Sequence, residues 1–178
     1  MAERTITAGD SDVRSGFAPV GAPDSAIVDA KAVARGIGRL FARNDIWCLP
    51  EMPLRNGRRA DLMGVDAKGQ VIIVEIKVAR GDLLGDAKWP DYLDFCDRFF
   101  WGLPPELDRG PLENDDYRPD CCGIIVADGY DAEILRPAPL QPLNAARRKV
   151  EVERLARAAM RRHVSLLDPY CAEFIRGE

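Results

Sequence analysis

The sequence predicts an α/β domain of α+β character, in which helices flank a mixed sheet and a long C-terminal helix closes the chain. Three observations predict it. Apolar residues recur with a period of 3.6 through Ile27, Ala30, Val33, Ala34, Ile37, Leu40 and Phe41. Three strand-type segments then follow one another, with "DAKG" as a tight turn between the second and third. A longer 3.6-period segment comes after Pro142.

The first helix is expected to start at Asp24 or Ser25, either a good N-cap, and to stop near Asn44. Its far side carries Lys31, Arg35, Arg39 and Arg43 at i, i+4 spacing, which reads as a solvated face rather than a phosphate rail. Gly36 and Gly38 are expected to weaken it. Ahead of it, residues 1–23 mix Gly, Pro, Ser and charge without an apolar core, and are expected to be a disordered tail preceding one domain over residues 24–178.

"DIWCLPEMPL", "GRRADLMGVD" and "QVIIVEIKV" supply the three strands. A three-residue loop of Ala67, Lys68 and a left-handed Gly69 pairs Asp66 with Gln70, so that paired positions sum to 136. Asp61 then falls opposite Glu75. In the third strand Val71, Ile73, Glu75 and Lys77 share one face, while Ile72, Val74, Ile76 and Val78 share the other. One face is wholly apolar; the other turns ionic at its end.

"GDLLGDAKWPDYLDFCD" reads as a helix broken near Trp89-Pro90, with Asp82 and Asp86 as acids of its N-terminal part. "RFFWGLP" is a fourth strand, residues 104–120 a loop or loose helix, and "CCGIIVA" and "AEILRPAP" a fifth strand with a short partner across the turn "DGYD". On the last helix Val152, Leu155, Ala156, Ala159 and His163 fall on one side and Arg147, Arg154, Arg157 and Arg161 on another.

Composition removes several kinds of chemistry. No apolar run approaches the ~18 residues of a membrane span, so a cytoplasmic protein with no membrane partner is expected. Five cysteines (Cys48, Cys96, Cys121, Cys122, Cys171) without a C-x-x-C pair suggest neither a disulfide framework nor a zinc cage. The single histidine, His163, disfavours most zinc enzymes and Ser-His or Cys-His hydrolases. Residues 143–163 carry a local charge of +5 in a chain of net −4, which leaves −9 elsewhere. Such a basic segment invites phosphate despite the acidic total.

Asp61 and Glu75 placed opposite each other would repel, and like-charge cross-strand pairs destabilise a sheet. Lys77 offsets part of that. A divalent cation offsets more, since Mg²⁺ favours one or two carboxylates with retained waters. Carboxylates that hold a metal against a phosphate, with a lysine to orient water or offset developing charge, are what phosphodiester hydrolysis requires.

"RRAD", thirteen residues and then "EIK" resemble the D-x(n)-E-x-K signature of the PD-(D/E)XK nuclease superfamily. The longer runs "PEMPLRNGRRADLMGVDAKGQVIIVEIKVARGDLLGDAKWPDYLDFCDRFFWGLP", "GIIVADGYDAEILR" and "AARRKVEVERLARAAMRR" are similar to the MmcB-like bacterial DNA repair proteins, over roughly residues 25–163. The resemblance implies a restriction-endonuclease-like PD-(D/E)XK core with a C-terminal long helix. It also implies a Mg²⁺- or Mn²⁺-dependent deoxyribonuclease, an endonuclease, acting on DNA alongside repair partner proteins. Carried over, Asp61 and Glu75 are metal ligands and Lys77 the catalytic lysine. Glu51 matches the family's third acid, and Lys88, with Asp91 and Tyr92, matches its "KWP-Y" run. Ala60 stands where many superfamily members have proline. Arg58, Arg59, Arg147, Arg154, Arg157 and Arg161 are the expected DNA contacts. The competing readings are a catalytically inactive DNA-binding or adaptor module of the same fold and a hydrolase of small phosphate esters.

Overall fold

The computed structural model describes residues 28–171. The expected tail and the Asp24 or Ser25 cap lie outside them. The first described helix, α1 (Ala30–Arg43), begins instead behind Asp29, whose Oδ1 accepts the Ala32 N–H at 2.7 Å.

Three strands follow: β1 (Ile46–Pro53), β2 (Arg59–Asp66) and β3 (Val71–Ile76). The β2–β3 register runs Leu62 to Val74, Met63 to Ile73, Gly64 to Ile72 and Val65 to Val71, the sum of 136 expected from the turn. Gly69 has φ of 75°, and the Asp66 N–H donates to the Gln70 carbonyl at 3.1 Å. Asp66 Oδ1 accepts the Lys68 and Gln70 amides, which makes the loop self-capped.

After β3 come the short helix α2 (Arg80–Gly85), a 3₁₀ segment Trp89–Phe95, and β4 (Arg98–Leu103), which pairs parallel to β3. The expected break therefore occurs, and Pro90 opens the tighter 3₁₀ path. β5 (Cys122–Ala127) pairs parallel to β4, and β6 (Ala132–Arg136) closes an antiparallel hairpin on β5. The six strands lie in the order β1-β2-β3-β4-β5-β6, a mixed sheet with a PD-(D/E)XK-like arrangement. α3 (Ala145–Leu167) is the long C-terminal helix, capped by Asn144.

Alternation in the central strands sends side chains into two cores. Leu62, Ile72, Val74, Ile76, Phe100 and Ile125 pack under Val33, Ile37 and Phe41 of α1. Val71, Ile73, Phe99, Trp101 and Ile124 pack on the other face with Trp89, Tyr92, Phe95 and Leu155. Trp89 is thus a core anchor, its ring centroid 5.6 Å from those of Phe99 and Trp101. Gly36, a weak helix residue by propensity, allows close approach: a Cβ there would sit 2.6 Å from the Asp131 carbonyl oxygen. Arg39 and Arg43 of the same helix bond Tyr130 and Asp131 on the β5–β6 turn, so half of the expected solvated face is tied down.

The buried stripe of α3 is rotated from the expected one. Glu151, Leu155 and Ala158 are buried, whereas Ala156, Ala159 and His163 are not. Ala156 and Ala159, with Val152 and Leu155, instead line an open cavity of about 340 Å³ against Trp47, Cys48, Leu49 and Val65. The rotation follows from tethers that apolar periodicity does not register. Asp97, fully buried, accepts the amides of Val71 and Leu143 and pairs with Arg148, fastening the start of α3 to the sheet. Arg154 and Arg162 donate to the carbonyls of Pro53 and Glu51 on edge strand β1. Capping those carbonyls also blunts the edge, which carries Pro50 and Pro53.

Candidate active site

Three adjacent strands bring Glu51, Asp61 and Glu75 into one row. Pro50 pairs with Leu62 and Met52 with Ala60, so Glu51 lies opposite Asp61; the β2–β3 register places Asp61 opposite Glu75. The row coincides with a gap in the hydrogen-bond ladders. The β2–β3 pairs end at Leu62–Val74, and Glu51 has φ of 53°, a left-handed backbone unusual for a residue with a side chain.

Asp61 uses the gap. Its Oδ2 accepts the Ile76 N–H at 2.7 Å, replacing a strand partner with a carboxylate. Burial pushes the Asp61 carboxyl above its ordinary value, against the Ile76 amide and the Lys77 charge, which draw it down.

Glu75 is 6% exposed. Its Oε1 accepts from Lys77 Nζ at 3.1 Å, and its Oε2 is buried without a hydrogen-bond partner. Burial first, and then the Asp61 charge, raise its pKa from 4.5 to about 7. A proton is therefore held near neutrality unless a cation takes its place.

Lys77 follows the last residue of β3, its N–H held by the Gly102 carbonyl at 2.9 Å. Burial by itself would lower its pKa; hydrogen bonds and charge from Asp86 and Glu75 outweigh that and raise it. The ammonium lies 2.8 Å from Asp86 Oδ2, 3.1 Å from Glu75 Oε1 and 3.8 Å from Asp82 Oδ1. Asp82 does sit in the first turn of α2, as expected, but Asp86 caps its C-terminal end and faces inward.

The residues of the "KWP-Y" run separate. Tyr92 is buried; its hydroxyl donates to the Arg59 carbonyl at 3.3 Å and lies within hydrogen-bonding influence of the Glu75 carboxylate, and burial, then the charge and hydrogen bonding of Glu75, then the Asp86 charge raise its pKa. Asp91 instead receives the Arg58 guanidinium, with Nη2 to Oδ2 at 2.9 Å. Lys88 is exposed on the turn, its backbone N–H donating to Asp86 Oδ1 at 3.2 Å.

The arginines separate as well. Arg58 packs on the 3₁₀ segment, while Arg59 is exposed and pairs with Glu51 at 2.5 Å. Arg147 stacks over Phe95, with Cζ 5.0 Å from the ring centroid. Arg154 bonds Glu151 and the Pro53 carbonyl; Arg157 and Arg161 are on the exposed side of α3. Arg162, bonded to the Glu51 carbonyl at 3.3 Å, lies closer to the acidic row than sequence spacing indicates.

Whether these groups suit a divalent ion is a question for the donors present. Among the described residues no set of three or more His, Cys, Asp or Glu converges closely enough to hold a metal ion, and Glu51 pairs with Arg59. Asp61 lies near enough to Glu75 for its charge to raise the Glu75 carboxyl, and Glu75 Oε2 is a buried acceptor with no hydrogen bond of ordinary geometry. That fits Mg²⁺ or Mn²⁺ held by two carboxylates and water, not a closed protein cage.

The model of the family described as "DNA repair protein MmcB-like" matches residues 22–170. The chain belongs to the MmcB-like family of DNA repair proteins. A solved structure, the "SPO1766 protein of unknown function from Silicibacter pomeroyi", is similar to this MmcB-like chain at 40% identity. The likeness spans 78% of this chain and 90% of that one, with a TM-score of 0.68. No curated protein matches the MmcB-like chain. No described helix of it is long and apolar enough to cross a membrane.

Proposed function

We propose that the chain is a Mg²⁺- or Mn²⁺-dependent deoxyribonuclease, an endonuclease, that hydrolyses phosphodiester bonds in DNA repair. The observation that carries this reading is the buried Glu75 carboxylate beside Asp61 and Lys77, whose Oε2 makes no hydrogen bond of ordinary geometry. An unmet buried acceptor costs about 1–3 kcal/mol, which a cation bound beside Glu75 and Asp61 would offset. Asp61 and Glu75 would hold the ion, with Glu51 joining when Arg59 turns to DNA. The ion supplies charge neutralisation at the scissile phosphate and acidifies a bound water.

The remaining work falls to the chain's own groups. The Lys77 ammonium stands against charge developing on the phosphate oxygens. Buried Trp89, Tyr92 and Trp101 exclude water from the inner side of the site, which strengthens each of these interactions. Arg59, Arg157 and Arg161 take the phosphate backbone in this reading. Arg58, Arg147 and Arg154 serve it through N–H groups their protein partners leave over, and Lys88 reaches the flanking phosphate.

The test is cleavage of single-stranded, duplex, flapped and damaged DNA with and without Mn²⁺, for the native chain and for Asp61→Ala, Glu75→Ala and Lys77→Ala. Metal-stimulated cleavage lost in all three variants supports the reading. Equal cleavage by all three sinks it. The Glu51–Arg59 pair, which withholds the third acid, favours a second reading as an inactive DNA-binding or adaptor module. DNA binding without cleavage under every condition would select that one. Cleavage of a small phosphate ester that DNA does not inhibit would instead point to a different substrate.

A further inference from the structure

Lys77 has a second anchor besides Glu75, and it is the nearer one. Asp86 Oδ2 lies 2.8 Å from the ammonium, against 3.1 Å for Glu75 Oε1. The Asp86 side chain is only 16% exposed, so it is not a surface acid that happens to lean inward. Its other oxygen, Oδ1, accepts the Lys88 N–H at 3.2 Å, at the entry to the 3₁₀ segment that Trp89 fixes in the core. The two Asp86 oxygens therefore divide between two partners, Oδ1 with an anchored turn and Oδ2 with Lys77.

A third acid close to Glu75 raises the electrostatic cost of the site. Its charge contributes to holding the Glu75 proton, as does that of Asp61. That cost is offset only where the extra carboxylate meets a cation, and the cation it meets is Lys77. Were Glu75 the sole partner, the ammonium would be free to settle across both Glu75 oxygens. With Asp86 as its nearer partner it engages Oε1 alone, and Oε2 makes no hydrogen bond of ordinary geometry.

We propose that Asp86 is a positioning residue for Lys77: from the turn between α2 and the 3₁₀ segment it holds the ammonium off Glu75 Oε2 and aims it at the edge of the site. The catalytic consequence rests on the nuclease reading above, whereas the positioning itself does not.

Two measurements on the full chain keep these apart. The first is trace acetylation of lysines in the protein without DNA or metal, read residue by residue by mass spectrometry. Asp86→Asn raises Lys77 labelling several-fold while Lys31, Lys68 and Lys149 serve as internal references. Asp86→Glu, which keeps the charge on a longer stem, brings it back toward the native level. Unchanged Lys77 labelling in Asp86→Asn overturns the proposal, whatever the chain does to DNA. The second is Mn²⁺-dependent cleavage. Asp86→Asn lowers kcat on the order of 10²-fold, as misplacement of a reacting group by about 1 Å does. KM for DNA stays within about twofold, because Asp86 does not touch the phosphate backbone. A native kcat in Asp86→Asn overturns the catalytic role. A native chain that cleaves nothing removes the nuclease reading, and the labelling result still decides the positioning.

Discussion

The Asp61 carboxylate accepts the Ile76 backbone N–H at 2.7 Å, so one oxygen of the site doubles as a rung of the sheet. Asp61→Ala leaves that amide without its acceptor and costs about 1–3 kcal/mol in urea denaturation. Asp61→Asn keeps an acceptor at the same place and costs less. In both, the rise in Tm expected with Mn²⁺ in the native chain under the nuclease proposal is lost, because a ligand stabilises only through the state that binds it. An undiminished Mn²⁺ shift in Asp61→Asn would remove Asp61 from the ligand set.

Glu75 sets a pH dependence whose sign is fixed. Its folded pKa of about 7 lies above the ordinary 4.5, so between those values the folded chain holds a proton that the unfolded chain has released. Stability without metal falls as pH rises through that window, by an amount on the order of 3 kcal/mol. Glu75→Gln, which has no proton to lose, flattens the decline and is the more stable protein at pH 8. Urea titrations of both proteins from pH 5 to 8 in chelator measure it. Saturating Mn²⁺ removes most of the difference by supplying the missing charge.

Asp97 behaves in the opposite sense. Burial alone would raise its pKa, but the Arg148 guanidinium and the amides of Val71 and Leu143 outweigh burial and hold it below the ordinary carboxylate range. Its contribution is complete above about pH 4 and is lost as pH falls through the depressed value. Asp97→Ala also leaves the two amides unmet, and costs about 3 kcal/mol at pH 7. Amide exchange in the first turns of α3 speeds up, since Asp97 is what fastens that end.

Gly36→Ala inverts the usual helix rule. In an exposed helix the change stabilises by roughly 0.5–1 kcal/mol. Here the added carbon would sit 2.6 Å from the Asp131 carbonyl oxygen and 3.0 Å from Ala127 Cβ. The variant loses about 1–3 kcal/mol as α1 is pushed off the β5–β6 turn. Gly38→Ala, where an added Cβ meets nothing within 4 Å, gains the expected increment.

Arg59 and Arg157 test the DNA surface. In the proposed complex each neutralises one phosphate, so Ala at either position lowers the slope of log affinity against log salt by about 1 for duplex DNA. Fluorescence anisotropy across a salt series reads it. Arg59→Ala also frees Glu51, so that variant alone shows an altered Mn²⁺ affinity.

The sequence by itself determined the order of the elements, the β2–β3 register and hence the placement of Asp61 across from Glu75. All of these follow from local rules: a three-residue turn with one left-handed glycine, and strict two-residue alternation. It also determined that Lys77 shares a face with Glu75. The same rules could not assign Asp86, because its role depends on how the chain folds back after α2, where a helix-end acid and a lysine partner look alike in one dimension. The face of α3 departs from its apolar pattern for a related reason. Periodicity takes no account of Asp97, Arg154 and Arg162, whose bonds reach across the fold to set the rotation of the helix. Nor does spacing show that Glu51 turns to Arg59, or that its backbone is left-handed. Those were decided by the tertiary structure, which alone determines which carboxylate meets which cation.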